Sequence, residues 1–153
     1  ERKMIGFIVD HVRYGIDIMQ VREIVNPSEV IQVPASPSHV MGVADHRETV
    51  IPIIDLRIRF GLKETESTRR TKWIMTKTDF RDVGLQVDRV TQVIKMTDVQ
   101  QRDRRSLLDN GAAVWIDEVF ADNAGIVFRI NLDAIVGPLS ELPESEAFEG
   151  GGS

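Results

Sequence analysis

A mainly β fold built from two related halves, each a small closed barrel, is what this sequence predicts, and three observations predict it. Apolar residues alternate in short runs instead of recurring over long helical stretches. Turn residues interrupt those runs every few positions. The order of apolar and turn positions in the first half then returns in the second. Short strands joined by frequent turns suit a closed barrel better than an open sheet, whose edges invite unwanted pairing.

Taken in order, Ile5, Phe7 and Val9 alternate, a turn falls at Asp10 and His11, and Val12, Tyr14 and Ile16 resume the alternation as a hairpin. Asp17 precedes Ile18, Val21, Ile24 and Val25 at helical spacing and, with Gln20 three residues on, has the form of a capping box, so a short amphipathic helix is expected. Val30 to Val33 reads as a strand stopped by Pro34 and Pro37. Val40 to Ala44 pairs with Val50 to Ile54 across the polar turn Asp45-His46-Arg47-Glu48. Lys63 to Lys72 is almost wholly polar and reads as a loop, after which strands resume at Trp73.

The second start copies the first. Trp73, Ile74, Asp79, Gly84, Leu85, Val87, Val90, Val93 and Ile94 match Met4, Ile5, Asp10, Gly15, Ile16, Ile18, Val21, Ile24 and Val25 at a constant offset of 69 positions. Val119, Ile126, Val127, Ile130, Leu132 and Gly137 match Val43, Val50, Ile51, Ile54, Leu56 and Gly61 at an offset of 76, the extra residues falling in the poorly patterned stretch from Gln100 to Ala112. A pseudo-repeat near 4–61 and 73–137 is therefore expected. Each copy alone would bury a modest core, so the two should pack together and leave a groove between them for binding.

Composition narrows the function. With 153 residues and 42% hydrophobic content, the chain is long enough for one domain or two small barrels sharing an interface. Its 24 acidic against 19 basic residues, net charge −5, argue against a nucleic-acid or anionic-membrane surface. Cysteine is absent, which excludes disulfides, thiolate metal sites and a cysteine nucleophile and suits a cytoplasmic location. No apolar run approaches a membrane span and no signal peptide opens the chain. It begins at Glu1 without an initiator methionine and ends in Gly150-Gly151-Gly152-Ser153, which reads as an excised piece carrying a flexible linker.

Chemistry finds little support. No Gly-rich phosphate loop precedes Lys-Ser or Lys-Thr, and Gly42, Gly61 and Gly84 stand isolated. His11, His39 and His46 fall on separate turns, as surface histidines would, so no metal is expected. Asp55, Asp88 and Asp117 read as hairpin ends or surface charges rather than acid/base pairs, and no serine occupies a nucleophile elbow. Arg102, Arg104 and Arg105 form a basic run, but Asp98, Asp103 and Asp109 surround it, which favours a solvated loop.

The remaining motifs are Tyr14-Gly-Ile-Asp-Ile, Val21-Arg-Glu-Ile, Val33-Pro-Ala-Ser-Pro, Gly42-Val-Ala-Asp-His-Arg, Ile51-Pro-Ile-Ile-Asp-Leu-Arg and Gly84-Leu-Gln-Val-Asp-Arg-Val. In this order they resemble the CheW family of chemotaxis coupling proteins, from about Phe7 to Met96 and again faintly from Ile126 to Val136. The resemblance implies two intertwined SH3-like five-stranded barrels with short helices, forming a single domain over 1–140, with 141–153 a flexible tail. It implies a non-enzymatic adaptor, without cofactor, that links a chemoreceptor's cytoplasmic hairpin tip to the regulatory domain of a CheA-type histidine kinase, itself CheW-like. Val21, Glu23, Gly42 and Arg47 fall where the family engages the receptor, and Asp45, His46 and Glu48 shape the turn beside them. If helix and turn share the groove wall, Arg47 can reach Glu23 bidentately.

Three features depart from the family pattern. Glu48 replaces the glycine that usually follows the motif arginine, which is strained if the turn needs positive φ. His46 replaces an apolar residue, and Ala112 to Asp117 does not reproduce the second-half motif. Other readings stay open: an adaptor that binds receptor but not kinase, a self-assembling array component, a piece of a kinase or of a receiver-containing coupling protein, and a barrel hydrolase or transferase.

Overall fold

Two hairpin turns set the first contacts. The computed structural model describes residues 1–79, 81–105, 107, 111–138 and 142–143. Strand β1 (Lys3–Val9) returns as β2 (Val12–Asp17) through Asp10 and His11, both at positive φ (48° and 69°). That is a two-residue turn whose twist matches its strands. Next come β3 (Val21–Val25), β4 (Val40–His46), β5 (Thr49–Asp55) and the short helix α1 (Leu56–Arg59). The second half runs through β6 (Lys72–Lys77), β7 (Asp82–Val87), β8 (Arg89–Lys95), β9 (Gln100–Arg102), β10 (Ile116–Asp122), β11 (Gly125–Ile130) and α2 (Leu132–Val136).

The strands form two sheets that exchange members. One has the order β8-β1-β2-β11-β10-β9 and the other β3-β6-β7-β5-β4. Under the offsets of 69 and 76 residues, β8 corresponds to β3 and β1 to β6 in position, and β2 to β7, β11 to β5 and β10 to β4. The pairing senses agree: β1 with β8 and β3 with β6 are antiparallel, whereas β11 with β2 and β5 with β7 are parallel. Each sheet thus takes two strands from one half of the chain and three equivalent strands from the other. The first sheet adds a sixth, the three-residue β9, to the five expected. Neither half can complete its sheet alone, which is the physical meaning of intertwined.

Three clusters fill the interior. Ala44, Ile51, Ile53, Trp73 and Met75 pack inside the second sheet, and Met4, Ile94, Phe120 and Val127 inside the first. The largest cluster lies between them and includes Phe7, Ile16, Ile54, Leu56, Ile74, Leu85, Ile130 and Ile135. It closes most of the groove expected there. What remains open at the seam is a concavity of about 280 Å³ lined by Tyr14, Phe60, Leu107, Gly111, Trp115, Ile116 and Phe128. Leu142, expected in a flexible tail, is buried in the shared cluster, and residues 144–153 lie outside the described residues.

Several local expectations are corrected. The helix expected from Asp17 to Val25 is instead a single 3-10 turn at Ile18–Gln20 followed by β3. Asp17 does cap that turn, accepting a hydrogen bond from the Met19 amide at 2.9 Å. Beyond it the β-branched Val21, Ile24 and Val25 pair with Thr76, Ile74 and Trp73 of β6, and that ladder overrides the helical spacing. The strand expected over Val30 to Val33 reduces to one bridge, Ile31 to Val43, consistent with prolines at 27 and 34 that cannot donate to a ladder. His39 is buried rather than on the surface, its Nδ1 3.3 Å from Arg59 Nη1.

Candidate functional site

The β3 strand enters the site directly from the Asp17-capped turn. Its register with β6 slips between Val21 and Glu23, leaving Arg22 as the extra residue of a bulge. Val21 packs against the shared core, Arg22 reaches Asp82 at 2.7 Å, and the Glu23 side chain crosses to the β4–β5 hairpin. That hairpin closes between His46 and Thr49, with Arg47 and Glu48 at φ 52° and 65°. Asn-Gly is the usual solution for such a turn, because L side chains other than Asn and Asp resist positive φ.

Arg47 donates to both carboxylate oxygens of Glu23, from Nε at 2.7 Å and from Nη2 at 3.2 Å, and His46 Nε2 lies 3.3 Å from the same carboxylate. The Arg47 guanidinium, followed by His46, holds the Glu23 carboxyl below the usual carboxylate range. Arg47 itself stays largely exposed, so water screens the pair and its contribution to stability is small. Its geometric role is larger. β3 and β4 are the two outermost strands of their sheet, and the Glu23–Arg47–His46 cluster joins them. The sheet has curled until its edges meet.

Gly42 lies further along β4, at a register slip between Val40 and Gly42. Its φ is 146°, and a Cβ there would stand 2.2 Å from the Ile31 carbonyl oxygen and 2.8 Å from Val30 Cγ1. The segment bearing Ile31 crosses directly over this glycine, held by Ile31 N to Val43 O at 2.8 Å and Val43 N to Ile31 O at 2.9 Å. Gly42 is buried, and what it delivers to the surface is Ile31, 54% exposed.

The structure therefore brings Glu23, His46 and Arg47 into one cluster, with Val21 adjacent on β3, and gives Gly42 a separate packing task. Asp45 and Glu48 are exposed beside the turn. None of these residues lines the seam concavity. Sequence reasoning passes over Met19, 72% exposed on the turn before β3, and over Ile24 and Ile31. Their apolar character is plain in the sequence, but a hydrophobic residue is ordinarily assigned inward, and only the fold shows these three facing water.

Several other charged groups are occupied structurally. Arg57 of α1 makes a fork to Asp88 at 2.9 and 2.8 Å, and Asp88 also accepts the Asp10 amide at 2.8 Å, so the first hairpin, α1 and the β7–β8 junction share one network. Burial pushes the Asp88 carboxyl upward, but the bonds from Arg57 and Asp10 outweigh it and hold the group below the usual range. Asp55 is buried and raised by desolvation, yet it accepts the Arg57 amide at 2.9 Å as the cap of α1. In the basic run, Arg105 pairs with its neighbour Asp103, and Arg104 donates to the Ile116 carbonyl at 2.8 Å. Among the described residues no three His, Asp or Glu side chains converge as a metal site, and no helix is long and apolar enough to cross a membrane.

Comparison with known proteins places this arrangement. A family model described as "CheW-like domain" matches residues 3–138. The chain is 36% identical over 99 residues to the chemotaxis protein CheW of Helicobacter pylori, a match covering 63% of this chain and 60% of that protein. It is 29% identical over 134 residues to the CheW of Rhizobium meliloti, covering 88% of this chain and 86% of that one. The chain thus spans under two thirds of the Helicobacter pylori protein's length but most of the Rhizobium meliloti one. The crystal structure of the scaffolding protein TtCheW from Thermoanaerobacter tengcongensis superimposes with a TM-score of 0.77 at 23% identity, covering 90% of this chain and 94% of that one, and so shares the fold. With its two exchanged sheets and a family match from end to end of both, the chain belongs to the CheW-like domain family.

Proposed function

We propose that this chain is a non-enzymatic cytoplasmic adaptor that couples the hairpin tip of a chemoreceptor to a CheA-type histidine kinase. The observation that carries the receptor contact is the Glu23–Arg47–His46 cluster at the closing edge of one sheet, with exposed Met19, Ile24 and Ile31 on the same or adjoining segments. An amphipathic helix docks by placing apolar residues on such a surface while charges fix its register. Val21 and Gly42 serve this face from beneath, one by seating β3 in the core and the other by seating Ile31.

The kinase contact is assigned to the other sheet. There exposed Val12 and Ile126 each precede by two residues the paired Tyr14 and Phe128 of β2 and β11, and so form an apolar step at the end of that sheet. Calorimetric titration against a receptor cytoplasmic fragment and, separately, a kinase regulatory domain tests both assignments. Arg47→Ala is expected to weaken the receptor titration alone, and Ile126→Glu the kinase titration alone. Binding of the receptor without the kinase would point to an adaptor lacking a kinase face. Binding of neither would sink the coupling role.

A further inference from the structure

A second charged surface begins just beyond the end of β3, at Asn26 and Pro27, and is built differently. Thr68 to Thr71 form a tight turn: the Thr71 amide donates to the Thr68 carbonyl at 3.3 Å, the Thr68 amide to Thr71 Oγ1 at 2.9 Å, and the Arg70 amide to Thr68 Oγ1 at 3.0 Å. Thr71 is buried, so the turn is anchored and its corner residues, Arg69 and Arg70, face outward. Lys72 begins β6, with Nζ 2.8 Å from Asn26 Oδ1 and 3.0 Å from the Arg69 carbonyl. Arg89 begins β8 beside it. Arg69, Arg70, Lys72, Arg89 and Val90 line one shallow concavity of about 270 Å³, and Asn26, Pro27, Thr68, Arg69, Thr71 and Lys72 line an adjoining one of about 340 Å³.

Four cations therefore converge on two joined hollows whose lining, among the described residues, contains no carboxylate. Elsewhere Arg2, Arg13, Arg22, Arg47, Arg57, Arg105 and Arg129 each pair with Asp or Glu, whereas none of these four has a carboxylate within salt-bridge distance among the described residues. Other cations, such as Lys3, Lys77, Lys95 and Arg102, also lack an ion pair among the described residues, but only here do four gather on one surface, which concentrates positive charge on it despite the chain's net charge of −5.

From this we infer that the Arg69–Arg70–Lys72–Arg89 surface is a docking site for an acidic, extended segment of a protein partner, separate from the Glu23–Arg47 cluster. Two open hollows side by side fit carboxylates spaced along a chain better than one enclosed small anion. Arginine forks meet carboxylates bidentately, and Val90 and Pro27 give the segment's aliphatic carbons a place to rest. This site stands whether or not the coupling role holds.

The test uses the full chain and a fluorescein-labelled peptide of alternating glutamate and alanine, followed by polarisation and by amide shift mapping. Binding that shifts the amides of residues 26–27, 68–72 and 89–90, and that falls about tenfold or more in Arg69→Glu/Arg89→Glu but stays unchanged in the exposed control Arg102→Glu, supports the site. Equal losses in both variants would mean diffuse charge attraction and overturn it. So would stronger capture by phosphatidylserine vesicles than by the peptide. A tenfold gain in affinity on removing residues 144–153, which carry Glu144, Glu146 and Glu149, would overturn it too, by showing that the chain's own acidic end fills the hollows.

Discussion

Replacing Gly42 by alanine should unfold a defined corner of this protein. The new Cβ would sit 2.2 Å from the Ile31 carbonyl oxygen, against a contact of about 3 Å that real side chains tolerate, so the Ile31 segment must lift by close to an ångström. At φ 146° an L residue also carries backbone strain of about 1–3 kcal/mol. Lifting the segment breaks the two hydrogen bonds between Ile31 and Val43, each worth about 0.5–1.5 kcal/mol net. Together these cost about 2–6 kcal/mol, a large part of the ~5–15 kcal/mol that holds a typical domain folded. Urea unfolding reads the total, and amide exchange at Ile31 and Val43 reads the site, where protection should fall more than in β6 or β7. A loss below about 0.5 kcal/mol, with those two amides still protected, would refute the reasoning and return Gly42 to direct partner contact. Ile31→Ser supplies the complement: the fold should be retained while receptor-fragment affinity falls.

Glu48→Gly removes an L side chain from a φ of 65° and is expected to raise the urea midpoint by an amount worth up to about 1 kcal/mol at unchanged slope, because relief of strain exceeds the added entropy of the unfolded chain. Asp88→Asn should lower stability at neutral pH by about 1–3 kcal/mol through loss of the charge-assisted bonds to Arg57. Because the folded Asp88 carboxyl lies below its unfolded value, its contribution is present above the unfolded carboxylate pKa and is lost as pH falls through the folded one. Urea curves of the two proteins should therefore converge toward acid pH, and a gap independent of pH would contradict the assignment. Phe7→Ala empties a fully buried site in the cluster shared by both sheets and should cost about 3–5 kcal/mol, with both sheets losing exchange protection together.

The Glu23–Arg47 pair shows how much of the site was legible. Both residue types and the turn between Ala44 and Val50 could be read from the chain, and so could the conditional that the two would pair if their elements met. The element carrying Glu23 was read as a helix because Ile18, Val21, Ile24 and Val25 fall at helical spacing, while β3 is a strand held by β6, some fifty positions later. Spacing records local preference, and a ladder with a distant partner outweighs it. Met19 and Ile31 were hidden for a related reason, since apolar side chains carry no mark of which way the fold will turn them.

What the sequence by itself determined is the mainly β class, the turns at Asp10–His11 and within Asp45–Glu48, and the matched order of strands in the two halves, all consequences of local alternation and turn chemistry; the structure narrows the second turn to Arg47–Glu48. Only the tertiary structure decided which strands change places between sheets, that the expected groove is largely packed shut by the shared core, and that four cations from two separate stretches meet with no carboxylate, among the described residues, at salt-bridge distance. Those outcomes depend on which surfaces find one another across the whole chain, and burial and Coulomb energy act through distance in space rather than along the sequence.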